Sequence, residues 1–286
     1  MSRFRLFVLL AIAFVLGAGL PTAANSQAVS ARVTYIGNEG FFLSTGGAGV
    51  LVDALVRRGI RPYVKANAQD REQLELAQGP FDQVTLVLAT HHHADHFDAQ
   101  AVRSHLERNP NAVFVSTAQA VELVLETGPG AAALGTRLIA VQPKEGTVER
   151  LSFPGVELDV FNLHHGRDRQ PVVENLGFLV DVEGLRFLHV GDTEATRDEL
   201  MALALGGLEI DVAFIPYWKL LWGEPGFVED AIGSARVAAM HIPSARAQSD
   251  YFGEFEDLDG LVGGLEEAYP GILVFVEPTD TRTITR

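Results

Sequence analysis

A short segment in the first third of the chain concentrates residues that bind metal ions. His91, His93, Asp95 and His96 follow one another at the spacing H-x-H-x-D-H. A buried imidazole or carboxylate needs a partner that offsets its desolvation, and a metal ion provides that partner for several side chains at once. With this spacing, alternate residues can face one ion while the next pair faces a second ion. The segment therefore predicts a site for two metal ions.

The flanking residues indicate how this segment is positioned. Residues 84–89 form an apolar, β-branched run that predicts a buried strand, and Asp98 starts an amphipathic stretch that predicts a helix. The histidines are therefore expected in a turn at the carboxyl end of a strand.

The motif and its flanking elements resemble the H-x-H-x-D-H signature of the metallo-β-lactamase-fold superfamily. The resemblance implies an α/β fold, a four-layer αββα sandwich in which two mixed β-sheets are flanked by helices. The N-E-G-F sequence at residues 38–41 and the M-H pair at residues 240–241 also resemble the branch that contains L-ascorbate-6-phosphate lactonase and N-acyl phosphatidylethanolamine phospholipase. We expect this fold to occupy residues 29–286 as a single domain.

A third nitrogen ligand for the first ion is expected from the pair His164-His165. A predicted strand over residues 156–163 runs directly into this pair, and neighbouring strand positions point to opposite faces, so only one of the two can bind the ion. In the resembled family the ligand commonly precedes a small residue, here Gly166, which favours His165. His164 remains the alternative because the register of the strand is unknown.

Three further residues follow predicted strands. Asp192, in G-D-T, resembles the aspartate that bridges both ions in the family, although alone it would also suit the cap of a helix over residues 194–205. His241 resembles the last ligand, which joins Asp95 and His96. Asp53 resembles the aspartate that supports the metal loop, and an ordinary turn residue is the alternative.

The resemblance thus assigns His91, His93 and His165 to the first ion, Asp95, His96 and His241 to the second, and Asp192 to both. Nitrogen and oxygen ligands suit Zn²⁺ and also accept Mn²⁺ or Fe²⁺. Two such ions hold a bridging hydroxide that would attack an ester, lactone or phosphodiester. Asp95 and Asp192 are the predicted catalytic residues, because either carboxylate could orient the water and take up a proton.

Other notable residues receive simpler interpretations. We expect His189 to be a hydrogen-bonded core residue and His105 to lie on the surface. Residues 217–222, Y-W-K-L-L-W, are expected in a connecting loop. Such an apolar loop would line the pocket or contact a lipid or membrane through Tyr217, Trp218 and Trp222, or it would pack on the core or a second copy.

Composition restricts the partners. The chain of 286 residues has a formal net charge of −15, which disfavours nucleic acid and favours a small-molecule substrate. It contains no cysteine, so disulfides and thiolate metal ligands are excluded. The missing cysteine also disfavours the β-lactam-cleaving members of the superfamily that use a cysteine ligand.

The first 28 residues have the three parts of an export signal. Arg3 and Arg5 precede an apolar core over residues 6–20, and small residues follow up to Ala28. We predict cleavage after Ala28, with Ala24 as a competing site, and a periplasmic or secreted protein. An uncleaved anchor is the alternative, but the apolar core is shorter than the ~20 residues that a membrane span requires.

The leading hypothesis is an exported, dinuclear metal-dependent hydrolase. An iron-dependent redox enzyme on the same fold is one alternative. A non-catalytic envelope protein that uses the metals for stability is another, and it is less compatible with the predicted ligands because structural zinc sites are usually closed and mononuclear.

Overall fold

Strands dominate the computed structural model, which describes residues 29–166 and 172–286. The predicted export signal, residues 1–28, lies outside the described residues. In chain order, the strands are β1 (Ser30–Gly37), β2 (Gly40–Ser44), β3 (Gly49–Val52), β4 (Val84–Leu88), β5 (Val113–Ser116), β6 (Leu138–Ala140), β7 (Val148–Phe153), β8 (Val156–Asn162), β9 (Leu176–Val182), β10 (Leu185–His189), β11 (Val212–Pro216), β12 (Val237–Met240), β13 (Leu273–Val274) and β14 (Thr281–Thr285).

These strands form two mixed sheets with the same internal arrangement. The first sheet has the order β14-β1-β2-β3-β4-β5-β6 and the second has the order β7-β8-β9-β10-β11-β12-β13. In each sheet the first four strands are antiparallel and the remaining strands continue in parallel. The two halves of the chain are therefore structural repeats of each other, and the C-terminal strand completes the first half.

Adjacent phenylalanines on β2 show how the layers are stacked. Strand side chains alternate between faces, so Phe41 points towards the second sheet and Phe42 points away from it. The ring centroids of Phe41 and Phe214 on β11 are 4.3 Å apart. The ring centroids of Phe42 and Phe81, which lies beneath the helices, are 5.3 Å apart. Two apolar cores result: one fills the space between the sheets and continues beneath the helices of the second sheet, and the other lies outside the first sheet.

Helices cover the outer faces of both sheets. They are α1 (Ala68–Glu75), α2 (Ala99–Arg108), α3 (Ala118–Leu125), α4 (Arg197–Met201), α5 (Tyr217–Trp222) and α6 (Leu258–Ala268). The first three helices pack on the first sheet, and α5 and α6 pack on the second. The predicted α/β architecture of two mixed sheets flanked by helices is confirmed. Among the described residues, none of the helices is long and apolar enough to span a bilayer.

Local differences from the sequence predictions concern the second half. Residues 217–222 form α5 rather than the predicted loop, because their apolar side chains pack against β11, β12 and α6. Helix α4 begins at Arg197 rather than at 194, and its cap is Thr196, which forms a reciprocal capping box with Glu199. Asp192 is therefore not a helix cap.

Candidate metal centre

The site lies where the turns after β3, β4, β8, β10 and β12 meet between the two sheets. All seven predicted ligands are brought together there, in two groups whose candidate ligand atoms lie within 4.8 Å of one another. The groups are His91, His93, His165 and Asp192, and Asp95, His96 and His241. The strand ends therefore place residues from distant parts of the sequence at one position.

Asp192 connects the two groups through its separate carboxylate oxygens. Its Oδ2 lies 3.4 Å from Nε2 of His165 and 3.9 Å from Nε2 of His91. Its Oδ1 lies 3.3 Å from Nε2 of His241 and 3.5 Å from Nε2 of His96. One oxygen thus faces each group, which is the arrangement a bridging carboxylate requires.

The distances between the other candidate ligand atoms also fit shared cations. Two ligands at zinc-binding distance in a tetrahedron are about 3.3 Å apart. His91 Nε2 and His93 Nδ1 are 3.0 Å apart, and His241 Nε2 lies 3.6 Å from Asp95 Oδ2. Such spacing is compatible with ions held between these atoms.

Several of these atoms are buried without a hydrogen-bond partner. In the described part of the chain, this holds for Nε2 of His96, His165 and His241 and for Oδ1 of Asp192. A buried polar atom without a partner costs free energy, and each of these atoms faces the cluster. The protein groups therefore fit two bound cations.

Asp53 holds the histidine loop in position. Its Oδ1 accepts a hydrogen bond from the backbone N–H of Thr90 and its Oδ2 accepts one from the Thr90 hydroxyl, both at 2.7 Å. The Thr90 hydroxyl also lies 3.0 Å from Nδ1 of His91. Asp53 has a φ of 46° and His241 a φ of 59°, in the left-handed region where non-glycine residues are strained. The strained residues are thus part of the site.

Two residues of the N-E-G-F sequence belong to the site, although the sequence alone assigns them no role. Asn38 donates through Nδ2 to Oδ2 of Asp95 at 3.3 Å. Glu39 is completely buried, its Oε2 lies 3.7 Å from Nδ1 of His96, and neither carboxylate oxygen has a hydrogen-bond partner among the described residues. In the sequence, the position of N-E-G-F in a tight turn beside a strand end is the feature that could have indicated this role. It does not show that the Glu39 side chain points into the site.

Three candidate ligands have pKa shifts that suit cation binding, whereas Asp192 and Asp53 overcome the effect of burial and raise the pKa of His96 well above its usual value. Burial lowers the pKa of His91 well below its usual value, and burial together with His165 lowers the pKa of His93 to about 4. Burial alone would raise the pKa of Asp192, but His241 and His96 hold it well below its usual value. The two histidines are therefore neutral and Asp192 is ionised at pH 7, which are the forms that bind metals.

The structure distinguishes the two adjacent histidines after β8. His165 is buried and faces Asp192, whereas the half-buried His164 lies 3.4 Å from Glu199 and 3.5 Å from Glu145 outside the cluster. The backbone carbonyl of His164 accepts a hydrogen bond from Glu194. The preference for His165 thus agrees with the geometry.

Two further histidines, His189 and His105, have structural roles. Nε2 of His189 lies 2.9 Å from the carbonyl oxygen of Glu39, and its Nδ1 accepts a hydrogen bond from the Gly191 N–H. These contacts are those expected for a core histidine. The expectation that His105 lies on the surface is wrong. It is fully buried in α2, and its Nδ1 lies 2.5 Å from the carbonyl oxygen of Leu74 because α1 packs over it.

Aromatic side chains form a wall beside His241. The ring centroid of Tyr63 lies 4.0 Å from that of the His241 imidazole, and the ring centroid of Trp218 lies 4.8 Å from it. Tyr217 is buried, whereas Trp222 is 46% exposed at the end of α5. Trp218 is therefore positioned to limit the space at the site, and Trp222 is the residue of this helix available to an external partner.

A separate cavity of about 490 Å³ lies on the helix-bearing side of the first sheet. Its lining includes Arg32, Phe42, Phe81 and Thr281, but none of the predicted ligands. We therefore place the functional site at the strand ends rather than in this cavity.

Comparison with known families agrees with this architecture. Residues 32–237 match the family described as the beta-lactamase superfamily domain. The chain belongs to this family. The comparison with curated proteins found no match, so the resemblance to a particular branch stays a prediction.

Solved structures with the same fold share little sequence with this chain. One is Igni18, described as a metallo hydrolase from the archaeon Ignicoccus hospitalis, with 19% identity, 89% of this chain and 98% of that chain covered, and a TM-score of 0.54. A possible metal-dependent hydrolase from Veillonella parvula has 17% identity, coverage of 88% and 98%, and a TM-score of 0.58. CmlA, a diiron β-hydroxylase from Streptomyces venezuelae, has 18% identity, coverage of 90% and 54%, and a TM-score of 0.58.

Proposed function

We propose that this protein is a hydrolase that uses two divalent metal ions, with Zn²⁺ as the first choice and Mn²⁺ or Fe²⁺ as alternatives. The observation that carries the proposal is the position of Asp192, whose two oxygens face different groups of histidines. A structural zinc site is usually closed around a single ion, whereas a paired centre is typical of metal-dependent hydrolysis.

The assignment of the ligands follows the two groups of side chains. His91, His93 and His165 would hold the first ion, Asp95, His96 and His241 would hold the second, and Asp192 would contact both. When bound, the ions would supply a nucleophile from water at neutral pH and polarise the oxygen of a substrate carbonyl or phosphoryl group.

The residues of the chain orient the reacting groups. Asn38 fixes the Asp95 carboxylate by donating to Oδ2, and Asp95 and Asp192 are the groups positioned to orient water and accept its proton. Tyr63 and Trp218 restrict the space beside His241. No serine or cysteine nucleophile is required.

The proposed substrates are small esters, lactones or phosphodiesters. The net charge of −15 argues against nucleic acid, and the solved structures with this fold include proteins described as metal-dependent hydrolases. Contact with a lipid or membrane through the aromatic residues of α5 would involve Trp222, since it is the exposed member.

Metal analysis combined with a substrate panel tests this function. The protein is purified without added metal, its metals are measured by mass spectrometry, and ester, lactone and phosphodiester substrates are assayed. We expect close to two divalent ions per chain and hydrolysis of at least one class, with activity lost in Asp192→Ala. A metal-containing protein that is inactive on the whole panel, and in which Asp192→Ala only lowers the melting temperature, would favour the non-catalytic envelope protein.

The similarity in fold to the diiron β-hydroxylase CmlA makes an iron-dependent redox enzyme the second candidate. The same purification separates the two functions. Predominant iron with a redox-active absorption spectrum would count against hydrolysis, whereas zinc or manganese with hydrolytic activity would exclude the redox enzyme.

We also propose that the protein is exported to the periplasm or secreted, on the basis of residues 1–28. Expression of the full chain in a bacterial host, followed by cell fractionation and N-terminal sequencing, tests this proposal. We expect a mature protein that begins at Val29, and an uncleaved chain in the membrane fraction would support the anchor instead.

A further inference from the structure

A cavity of about 860 Å³ lies beside the candidate metal centre and is not used by the function proposed above. It lies between residues 58–65, which follow the turn that contains Asp53, and residues 244–251, which follow His241. The two segments are joined by a backbone hydrogen bond from the Ser244 N–H to the Pro62 carbonyl and by a β-bridge between Tyr63 and Pro243. The cavity is therefore built by the same two chain segments that leave the metal centre.

The lining of this cavity is basic in a protein that is otherwise strongly acidic. Arg58, Arg61, Lys65 and Arg246 contribute side chains, and no aspartate or glutamate of the described residues lines the cavity. The whole chain has 37 acidic and 22 basic residues, so a cluster of four cations without an acid departs from its general composition. Like charges repel, so an anion bound among these four exposed side chains would relieve their repulsion.

The charges of this cluster are not neutralised within the described residues. Arg58, Arg61 and Arg246 form no ion pair there, and Lys65 donates only to backbone carbonyls, to that of Arg58 at 2.8 Å. The adjacent Arg57 shows the contrast, because its Nε donates to Glu75 Oε1 at 2.8 Å. The cationic groups of the cavity thus remain available to a ligand.

Tyr63 connects the cavity with the metal centre. Its side chain lines the cavity, and its ring lies 4.0 Å from the imidazole of His241. Tyr63 also lines a small gap that reaches Asp95. A substrate that extends past Tyr63 would therefore place one end at the metal centre and the other among the basic side chains.

The geometry points to a substrate with an anionic oxygen-bearing group, a phosphate or a carboxylate, that binds in this cavity while the bond to be cleaved lies at the metal centre. The inference rests on the proposed hydrolase function. Guanidinium groups bind both kinds of anion through paired N–H donors, and three arginines suit such a ligand better than isolated lysines would. Arg61 and Arg246, one from each segment, would hold the anion from opposite sides.

A binding experiment tests the cavity independently of catalysis. Inorganic phosphate and succinate are titrated by calorimetry into the metal-loaded wild type and into the double variant Arg61→Gln/Arg246→Gln. The matched control is Arg108→Gln/Arg282→Gln, which removes two exposed arginines outside the cavity and leaves the same net charge. Any anion bound directly by the metals contributes equally to all three proteins.

We expect Arg61→Gln/Arg246→Gln, the cavity variant, to raise the Kd of at least one anion about tenfold or more, because hydrogen bonds to a charged group are lost. The control variant should change this Kd less than about twofold. Preference for phosphate or for succinate would identify which anion the cavity accepts. Equal Kd values in all three proteins, or no binding to the wild type up to about 10 mM, would overturn the inference.

Kinetics separate this inference from the proposed function. The neutral ester para-nitrophenyl acetate and the anionic ester para-nitrophenyl hemisuccinate are compared in the same three proteins. We expect the cavity variant to raise KM for the anionic ester and to leave kcat/KM for the neutral ester within about twofold of wild type. If the wild type hydrolyses no substrate of any class, the proposed function fails, and the binding experiment still decides whether the cavity holds an anion.

Discussion

Asp53 Oδ2 lies 2.9 Å from Nδ1 of His96, and both side chains are buried. The contact fixes the imidazole of His96. Its other nitrogen, Nε2, therefore faces Asp192. A carboxylate in this position makes the ring a stronger metal ligand and fixes its tautomer. Asp53, which follows β3, therefore acts on the candidate metal centre through His96.

Replacing Asp53 with Asn should weaken binding of the second metal ion. The amide keeps the size of the side chain but removes the negative charge that supports His96, so we expect a loss of about 10–100-fold in metal affinity. Competition with a chromophoric chelator measures this affinity. Asp159→Asn is the control, because Asp159 pairs with the exposed Arg150 and is not one of the candidate ligands. Equal affinities in the two variants would contradict the role of Asp53.

Replacing Glu39 with Gln should weaken metal binding without destabilising the metal-free protein. Burial, and secondly the charge of Asp192, raise the pKa of Glu39 well above its usual value, so this carboxyl is unfavourably placed without cations. The glutamine side chain avoids the cost of a buried carboxylate, and we expect an unchanged or higher Tm in chelator. With cations present, loss of the carboxylate should lower their affinity.

The measurements for Glu39→Gln are melting temperatures with and without chelator, together with metal content after dialysis. Glu157→Gln is the control, because Glu157 is an exposed residue of β8 outside the candidate metal centre. A lower Tm in chelator with unchanged metal affinity would show that Glu39 stabilises the fold and does not serve the metal centre.

Removal of metal should lower the stability of the wild type. A ligand present at a hundred times its Kd stabilises the native state by about 2.7 kcal/mol, which corresponds to about 5–11 °C in Tm for a domain of this size. We expect a chelator to lower the Tm by about this number of degrees, and added Zn²⁺ to restore the original Tm. Calorimetry provides the measurement, and an unchanged Tm would argue that the clustered histidines do not hold metal.

The site can be predicted from the sequence because several of its candidate ligands lie close together in the chain. His91, His93, Asp95 and His96 form a dense local motif after an apolar strand, and the family resemblance assigns Asp192 and His241 to the same site. The strand before this motif depends on local periodicity, which a sequence displays directly. The two mixed sheets are implied by the family resemblance and not by the strand pattern alone.

Other features depend on packing between distant segments, and sequence reasoning misses them for that reason. The burial of His105 requires α1 to cover α2, and the position of Tyr63 against His241 requires a loop of the first half to meet one of the second. Strand β14 pairs with β1 from the opposite end of the chain. Local sequence does not encode such contacts.

Replacing Gly191 with Ala should displace Asp192. Gly191 has a φ of 58°, and a Cβ at this position would lie 2.5 Å from Asn175 Oδ1 and 2.8 Å from Thr90 Cβ. The backbone must move to relieve these contacts, so we expect lower metal affinity and a loss of stability of about 1–3 kcal/mol. Gly184→Ala is the matched control, since Gly184 also has a positive φ, but a Cβ there would meet no described atom within 4 Å.

Denaturant unfolding and metal titration distinguish the two glycine variants. Both should lose some stability because alanine is strained at positive φ. Only Gly191→Ala should also lose metal affinity, because only Gly191 directly precedes Asp192, the candidate bridging ligand. Similar metal affinity in both variants would mean that Asp192 tolerates a shift of its backbone.

The buried His105 should make stability depend on pH. Burial lowers its pKa below the usual 6.5, so the native state keeps the neutral ring while the unfolded state binds a proton as the pH falls below 6.5. The unfolded state then holds more protons, and the free energy of unfolding decreases with falling pH, by at most about 1.4 kcal/mol per pH unit from this one group. Above pH 6.5 this contribution is constant.

His105→Gln isolates this effect, because a glutamine amide can still donate to the Leu74 carbonyl but does not titrate. Urea unfolding is measured from pH 7.5 down to pH 5.5 for both proteins, with chelator present so that metal binding does not vary with pH. We expect the wild type to lose its stability advantage over the variant as the pH falls. A constant difference across this range would mean that the imidazole takes up a proton in the native state as readily as in the unfolded chain.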